Sequence, residues 1–162
     1  MLDSKTRKLT LAGILVAAAV LGGVFSFPVL GSRCAPMQHL VNILAAVFLG
    51  PLWGVGVAFS ASVLRNIAGL GSLMAFPGSM IGALLCGLAY HYTKRLELTC
   101  IAEALGTGIL GALAAYPVAA FLMGLNPASY TVYIVPFLIS TGAGSILAYL
   151  VLRFLLPRIR RY

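Results

Sequence analysis

Four hydrogen-bonding side chains are concentrated in one short stretch of an otherwise apolar chain. The stretch GSRCAPMQHLVN, residues 31–42, contains Arg33, Gln38, His39 and Asn42. On a helix, Gln38 and Asn42 would be four positions apart and His39 and Asn42 three, so these side chains would share one face. Because an unsatisfied polar group is costly in apolar surroundings, this face needs hydrogen-bonding partners, and it predicts one wall of a polar ligand pocket.

The elements that must position these residues are transmembrane helices. The 162 residues are 61% hydrophobic and only 9% charged, whereas a soluble domain carries about 25% charged residues. Uncharged runs cover residues 9–32, 34–64, 66–93 and 104–152, and about 20 apolar residues are enough for a helix to cross the bilayer core. The runs do not alternate between apolar and polar residues, which favours helices over a membrane β-barrel.

Glycine and proline residues divide the chain into six helical segments. The expected helices cover about 8–27, 37–49, 52–68, 77–92, 98–123 and 131–156. The first segment resembles a secretory signal, but it is longer than a typical apolar signal region of about 7–15 residues and lacks an A-x-A site, so we expect it to be retained. The prediction is one domain over residues 1–162, an all-α membrane protein folded as a compact bundle of six transmembrane helices.

The basic residues predict the orientation in the membrane. Nine of the eleven Lys and Arg residues fall at one side of the six-helix arrangement: Lys5, Arg7, Lys8, Lys94, Arg95, Arg153, Arg158, Arg160 and Arg161. By the positive-inside rule this side is cytoplasmic, so both termini are expected there. The net charge of +8 is thereby explained without nucleic acid as a partner, and the basic C-terminal stretch is expected to touch anionic membrane lipid.

Polar and aromatic residues from five separate pieces of sequence are predicted to lie at one depth near the outer face, since a helix rises about 1.5 Å per residue. These candidate ligand-binding residues are Gln38, His39, Asn42, Arg65, Asn66, Phe76, Ser79, Met80, Tyr116 and Tyr133. Each also has a structural explanation, as tyrosines form interfacial belts and a single histidine is often a core residue. An ionisable group inside a membrane segment, however, usually faces a cavity or a partner, and the convergence favours an outward-facing pocket for a small molecule.

Glu103 is the exception to this pattern. It lies about a turn and a half into the fifth segment from the inner side, too deep for the outer cluster unless that segment is bent. We therefore expect it to pair with a basic residue such as Lys94 or Arg95. The three cysteines, Cys34, Cys86 and Cys100, are far apart, which predicts buried or loop thiols rather than a disulfide or a metal site.

Motifs for common enzyme chemistry are missing. No glycine precedes any of the three lysines, so the chain has no P-loop and no ATPase site of its own. It also lacks G-x-S-x-G, H-E-x-x-H and clustered carboxylates. We expect the chain not to be an enzyme, to bind no metal and to need no cofactor.

The chain resembles the substrate-binding S component of an energy-coupling factor (ECF) transporter. More narrowly, RKLTLAGILVA, RNIAGLGSLMAFPGSMIGALLCGLAY and EALGTGILGALAAYPVAAFLMG are similar to the ThiW family, and the most specific motifs are FPGSMIGALL and P-x-Q-H-x-x-N. The resemblance implies uptake of a thiazole precursor of thiamin, with hydroxyethylthiazole as the ligand. It also implies a prokaryotic plasma membrane protein that captures its ligand from outside.

The resemblance further implies partners. S components dock through a small-residue face on the first helix, for which Gly13-x-x-x-Ala17 is the nearest match here. The expected partners are the ECF coupling transmembrane subunit and two ATPase subunits. Two alternatives remain open: an S component for another small heterocycle, and an intramembrane lipid-modifying enzyme that uses His39 and Arg65.

Overall fold

Serine, proline and glycine residues determine where several of the helices begin and end. The computed structural model describes residues 4–29 and 32–159, and it is about 80% helical. Counting the stretch Leu96–Leu122 as one continuous helix, this part of the chain has six helices. Their elements are α1 Lys5–Gly22, α2 Pro36–Phe48, α3 Pro51–Ile67, α4 Ala75–Thr93, α5 Leu96–Leu105, α6 Ala112–Pro117 and α7 Ile134–Ile159.

Capping residues account for several of these boundaries. The Ser4 side chain accepts a hydrogen bond from the backbone N–H of Arg7 and caps α1, as a serine before a helix commonly does. Pro36 and Pro51 stand in the first turns of α2 and α3, where a missing N–H has no cost. Gly50, between those two helices, has φ of +89°, a conformation that favours glycine.

The first helix ends earlier than the sequence predicts. After Gly22 the chain makes a short 3₁₀ turn, and β1 (Phe27–Val29) pairs antiparallel with β2 (Ser32–Cys34). Successive glycines weaken the helix here, and Pro28 cannot donate the helical hydrogen bond. The buried Cys34 thiol donates to the Pro136 carbonyl and so attaches the hairpin to α7, and this burial raises the thiol pKa.

The fifth helix is not regular. Between α5 and α6 lies the π-helical turn Gly106–Gly111, and a second π turn, Val118–Leu122, follows α6. The second π turn comes directly after Pro117, which lacks the N–H that a regular α-helix needs. The expectation of one helix over about 98–123 holds for its extent, but the helix is widened at two places. Such π turns often occur at functional sites.

The helix α4 occupies the centre of the bundle. It packs against α2, α3 and the fifth helix, while α1 packs on α2 and α3, and α7 on α2 and α5. Close contact between α4 and the fifth helix depends on glycine: a Cβ at Gly106 would lie 2.9 Å from the Cα of Gly82. Small residues permit this backbone approach, which strengthens packing where lipid provides no hydrophobic drive between helices.

Three helices are long and apolar enough to cross a membrane: Lys5–Phe25, Leu96–Leu122 and Ile134–Arg158. The helix Pro36–Phe48 is apolar but shorter. Large apolar side chains are exposed on the outside of the bundle, for example Leu52 and Phe121 at 81% and 83%, as expected for side chains that contact lipid. Six full spans with both termini cytoplasmic remain a prediction.

The contact between α7 and the start of α2 yields a test. At Gly144 a Cβ would overlap the carbonyl oxygen of Pro36 and lie 2.7 Å from Cβ of His39. We expect Gly144→Ala to lower the free energy of unfolding in detergent by about 1–3 kcal/mol, because overpacking forces the backbone to shift.

The matched control is Gly142→Ala, on the same helix, where a Cβ would meet no atom within 4 Å. It should be neutral or stabilise the helix by up to about 1 kcal/mol. Equal stability of the two variants would contradict this packing.

Candidate functional site

A buried carboxylate is the centre of the polar cluster inside the bundle. Glu103, on α5, is 0% exposed, and its Oε1 accepts hydrogen bonds from Asn42 Nδ2 at 3.0 Å and from Thr107 Oγ1 at 3.1 Å. The same oxygen lies 2.9 Å from His39 Nδ1. Within residues 4–29 and 32–159, no other carboxylate oxygen lies within 4.0 Å of a Lys, Arg or His side-chain nitrogen.

The expected pairing of Glu103 with Lys94 or Arg95 is therefore wrong. The carboxylate points into the bundle because Gly82 of α4 leaves room there: a Cβ at Gly82 would lie 2.8 Å from Glu103 Oε2. Lys94 and Arg95 are exposed instead, and the Lys94 ammonium lies 5.3 Å from the centre of the Tyr90 ring. The short helix α2 places His39 and Asn42 deep enough to meet Glu103 from the opposite side.

His39 joins α2 to α7 as well as to α5. Its Nε2 lies 3.1 Å from Ser140 Oγ, and this hydroxyl oxygen also accepts from the backbone N–H of Ala35 at 2.8 Å. Since Ser140 retains a hydrogen to donate, the pattern fits a His39 that accepts at Nε2 and donates from Nδ1 to the carboxylate.

Arg65, in the last turn of α3, lies at the other end of the polar cluster from Glu103. It is 3% exposed, and it donates from Nη1 to Gln38 Oε1 at 3.2 Å and from Nη2 to the Leu70 carbonyl at 3.3 Å. Gln38 Nε2 is 3.4 Å from Asn42 Oδ1. A continuous series of hydrogen bonds thus leads from Arg65 through the two amides to Glu103.

A narrow cavity opens beside this series. Its interior space is about 40 Å³, and the void that also includes open solvent at its mouth is about 430 Å³. The lining comes from the hairpin, α2, α3, the loop before α4, α4, the fifth helix and α7: Arg33, Ala35, Gln38, His39, Arg65, Gly71, Ser72, Ala75, Gly78, Ser79, Thr107, Phe137 and Ser140.

Four of the ten predicted ligand-binding residues line this cavity: Gln38, His39, Arg65 and Ser79. Asn42 lies one turn deeper, where its amide donates to Glu103 and to the Ser79 carbonyl. Their role in ligand binding stays a prediction, but the structure brings these five side chains together.

The other five predicted residues lie outside the cavity lining. Asn66 donates to the carbonyls of Ser62 and Ser72, and so fixes the loop at the cavity mouth. Met80 is half-buried elsewhere on α4. The three aromatic residues pack against other rings. The distance between ring centres is 5.8 Å in the pair Phe76–Phe59, 3.8 Å in Tyr116–Tyr130 and 6.3 Å in Tyr133–Phe137.

Sequence reasoning missed Thr107, Phe137, Ser140 and the part played by Glu103. Thr107 follows Glu103 by four positions and Ser140 follows Phe137 by three, so helical spacing would have paired each with its neighbour. Nothing in the apolar α7 sequence distinguishes Phe137 from its other aromatic residues.

The partner-docking candidates lie on a separate surface. Gly13 and Ala17 are exposed on α1, and they line an apolar groove that α1 forms with α3, together with Trp53, Gly56 and Leu64. Docking of a partner subunit at this groove stays a prediction.

The hydrogen-bonded series Ser140–His39–Glu103 has the same residue types as the nucleophile, general base and orienting carboxylate of serine hydrolases. Here the serine oxygen also accepts the Ala35 N–H, which uses a lone pair and ties the residue to the backbone at the start of α2. No group of three or more potential metal ligands occurs within the described residues. The arrangement is suited to hydrogen-bonding a small ligand.

Removal of the Glu103 carboxylate should destabilise the fold strongly. In Glu103→Ala, the buried donors of His39 and Asn42 lose their common acceptor, and each unsatisfied group costs about 1–3 kcal/mol. The Thr107 hydroxyl can still donate to the Gly78 carbonyl at 3.1 Å. We expect the free energy of unfolding in detergent to fall by at least about 2 kcal/mol.

The control is the exposed Glu97, which within the described residues accepts only from Tyr149, at 3.3 Å. Glu97→Ala should change the free energy of unfolding by less than about 0.5 kcal/mol. Similar effects of the two substitutions would contradict the central position of Glu103.

Comparison with known proteins identifies the family. No match was found among curated protein sequences. A family model described as "Thiamine-precursor transporter protein (ThiW)" matches residues 9–157, which include the whole cavity lining and all the helices except the first four residues of α1 and the last two of α7. The match and the three long apolar helices make the chain a membrane protein, and the chain belongs to the ThiW family of thiamine-precursor transporters.

Proposed function

We propose that this chain is the ligand-capturing subunit of an ECF importer and that it binds a thiazole precursor of thiamin, with hydroxyethylthiazole as its expected ligand. The observation that carries the proposal is the cavity beside the buried polar cluster, in a chain whose family transports thiamine precursors. The ECF assembly and the thiazole come from the resemblance of the sequence.

The lining chemistry suits a heteroaromatic alcohol. Phe137 offers an aromatic ring that can pack against a thiazole. His39, Ser79 and Ser140 provide polar atoms at the cavity wall, which can bond a ring nitrogen and a hydroxyl group. The glutamate of the cluster lies behind His39 and is not among the lining residues.

The narrow cavity implies that lining groups move when the ligand enters. Known small-molecule sites enclose about 300–1,000 Å³, whereas the interior here is about 40 Å³. The group at the mouth that can yield is the exposed Arg33 side chain, whose hydrogen bond goes to the Gly69 carbonyl. We infer that this side chain moves aside to admit the ligand, while Cys34 keeps the hairpin on α7 and Asn66 keeps the loop after α3 in place.

The expected partners are the ECF coupling transmembrane subunit and two ATPase subunits. The chain has no ATPase motif of its own, so uptake driven by ATP requires such partners. The groove at Gly13 and Ala17 offers an apolar surface of small residues, which allows close helix contact within the membrane. In this arrangement the protein lies in a prokaryotic plasma membrane with both termini cytoplasmic.

Two alternatives differ from this proposal in what they predict. An S component for another small heterocycle would carry a different ligand through purification, which mass spectrometry of the purified protein would identify. An intramembrane enzyme would turn over substrate without ATPase partners. The Ser140–His39–Glu103 arrangement is the observation in its favour, and the engagement of Ser140 by Ala35 argues against it.

Direct binding tests the proposed ligand. Purified protein titrated with hydroxyethylthiazole in a calorimeter should bind it with a Kd in the sub-micromolar to micromolar range, about −8 kcal/mol or better. His39→Gln should weaken binding about tenfold or more, because it removes a ring nitrogen from the cavity wall.

The matched control is Tyr116→Phe, because Tyr116 stacks on Tyr130 and does not line the cavity. It should bind like the wild-type protein. A flat titration of the wild-type protein would overturn the proposed ligand, and equal loss in both variants would overturn the proposed location.

The docking groove is tested separately from ligand binding. We expect Ala17→Leu to abolish ATP-dependent uptake in cells, since a bulky side chain blocks close helix approach, while hydroxyethylthiazole binding by the purified variant stays unchanged. Ile14→Phe, at an exposed α1 position outside the groove lining, should retain uptake. Normal uptake by Ala17→Leu would rule this surface out.

A further inference from the structure

The cavity contains a buried cation that the described protein does not neutralise. The two hydrogen bonds of Arg65 go to neutral oxygens, on Gln38 and Leu70. Its Nε lies against Gly23, where a Cβ would be 2.9 Å away, and it has no acceptor among the described residues. Because a guanidinium carries five N–H groups, Nη1 and Nη2 each keep one N–H for a further acceptor.

The two acidic residues that the structure describes are committed elsewhere. The sequence contains three, Asp3, Glu97 and Glu103, and Asp3 lies outside the described residues. Glu103 bonds to His39, Asn42 and Thr107, and Glu97 lines a different cavity with Lys94, Arg95 and Arg153.

A second arginine lines the same cavity. Arg33 of the hairpin donates to the Gly69 carbonyl at 2.9 Å, which is again a neutral acceptor, and it shares the cavity wall with Arg65. The lining contains no carboxylate. Two like charges at one small cavity repel each other, and a buried charge is costly unless it is paired.

An oxyanion would supply the missing partner. Arginine binds carboxylates and phosphates through pairs of parallel N–H groups, and such charge-assisted bonds are about twice as strong as neutral ones. Ser72, also at the cavity wall, can add a hydroxyl donor. Phe137 and Ser140 also line the cavity, and they stay available for a ring.

We propose that the cavity selects a ligand that carries an oxyanion group, a phosphate or a carboxylate, which Arg65 and Arg33 bind while the ring lies toward Phe137. This inference rests on the proposed function and defines its substrate class more narrowly. The preferred thiazole is then one whose alcohol arm is phosphorylated or oxidised to the acid, rather than the neutral alcohol.

The test compares three ligands on the purified protein by calorimetry. They are hydroxyethylthiazole, its phosphate monoester and the corresponding thiazole acetic acid. We expect at least one anionic ligand to bind about tenfold or more tightly than the alcohol, and the difference between the two anions identifies the preferred group. Thermal stability in inorganic phosphate, compared with equal ionic strength of chloride, gives a reading that needs no thiazole.

Variants assign the preference to the two arginines. Arg65→Met should remove the preference, and Arg33→Gln, at an exposed position, should reduce the preference several-fold. Arg65→Lys keeps the charge, so it should retain part of the preference if Arg65→Met fails to fold. Arg153→Gln, next to the other cavity, is the matched control and should bind all three ligands like the wild-type protein.

The outcomes separate this inference from the proposed function. If neither anionic form binds more tightly than the alcohol, the inference is overturned and the proposed function stands. If no thiazole binds but phosphate stabilises the wild-type protein and not Arg33→Gln, the proposed ligand is overturned and the anion site is supported. If neither thiazoles nor phosphate has an effect, both are overturned.

Discussion

The buried carboxylate of Glu103 is the constraint on which the rest of the bundle depends. A carboxylate with no exposure needs several donors nearby, because an unpaired buried charge costs many kcal/mol. Here the donors come from α2 and from the next turn of its own helix, so α2 and the fifth helix must come together at this depth. Gly82 of α4 supplies the space between them, and the first π turn begins directly after α5, at Gly106. The close packing of these helices is therefore a condition for keeping the Glu103 carboxyl group hydrogen-bonded.

The same constraint explains why the cavity lies where it does. His39 and Ser79 contribute to the cavity wall and also to the cluster around Glu103, His39 directly and Ser79 through its carbonyl, which accepts from Asn42. A ligand that bonds to His39 therefore acts on a residue that also holds α7 through Ser140. Binding and helix packing share one set of hydrogen bonds, so a change in one alters the balance in the other.

The sequence predicts where the helices lie along the chain better than it predicts where a side chain points. Hydropathy and glycine–proline punctuation locate the helical segments, and the spacing of Gln38, His39 and Asn42 correctly predicts a shared face. An expected depth does not say which way a side chain points, so Tyr116, predicted for the same pocket, stacks on Tyr130 instead. Glu103 could not be placed because its direction depends on the space at Gly82 and on the π turn, which are properties of the packed bundle. The hairpin escaped prediction for a similar reason, since three-residue strands carry almost no periodic signal.

The two amides between Arg65 and Glu103 show how the protein keeps opposite charges apart in the same interior. Gln38 turns its oxygen toward the arginine, and Asn42 turns its nitrogen toward the carboxylate. The dipoles therefore point the same way along the series, and each hydrogen bond polarises the next. An anion bound at the free N–H groups of Arg65 would partly neutralise the guanidinium and so weaken its bond to Gln38, the first bond of the series. Under the proposed anion preference, ligand capture at the mouth would thus reach the carboxylate through the amides, without any carboxylate at the cavity wall.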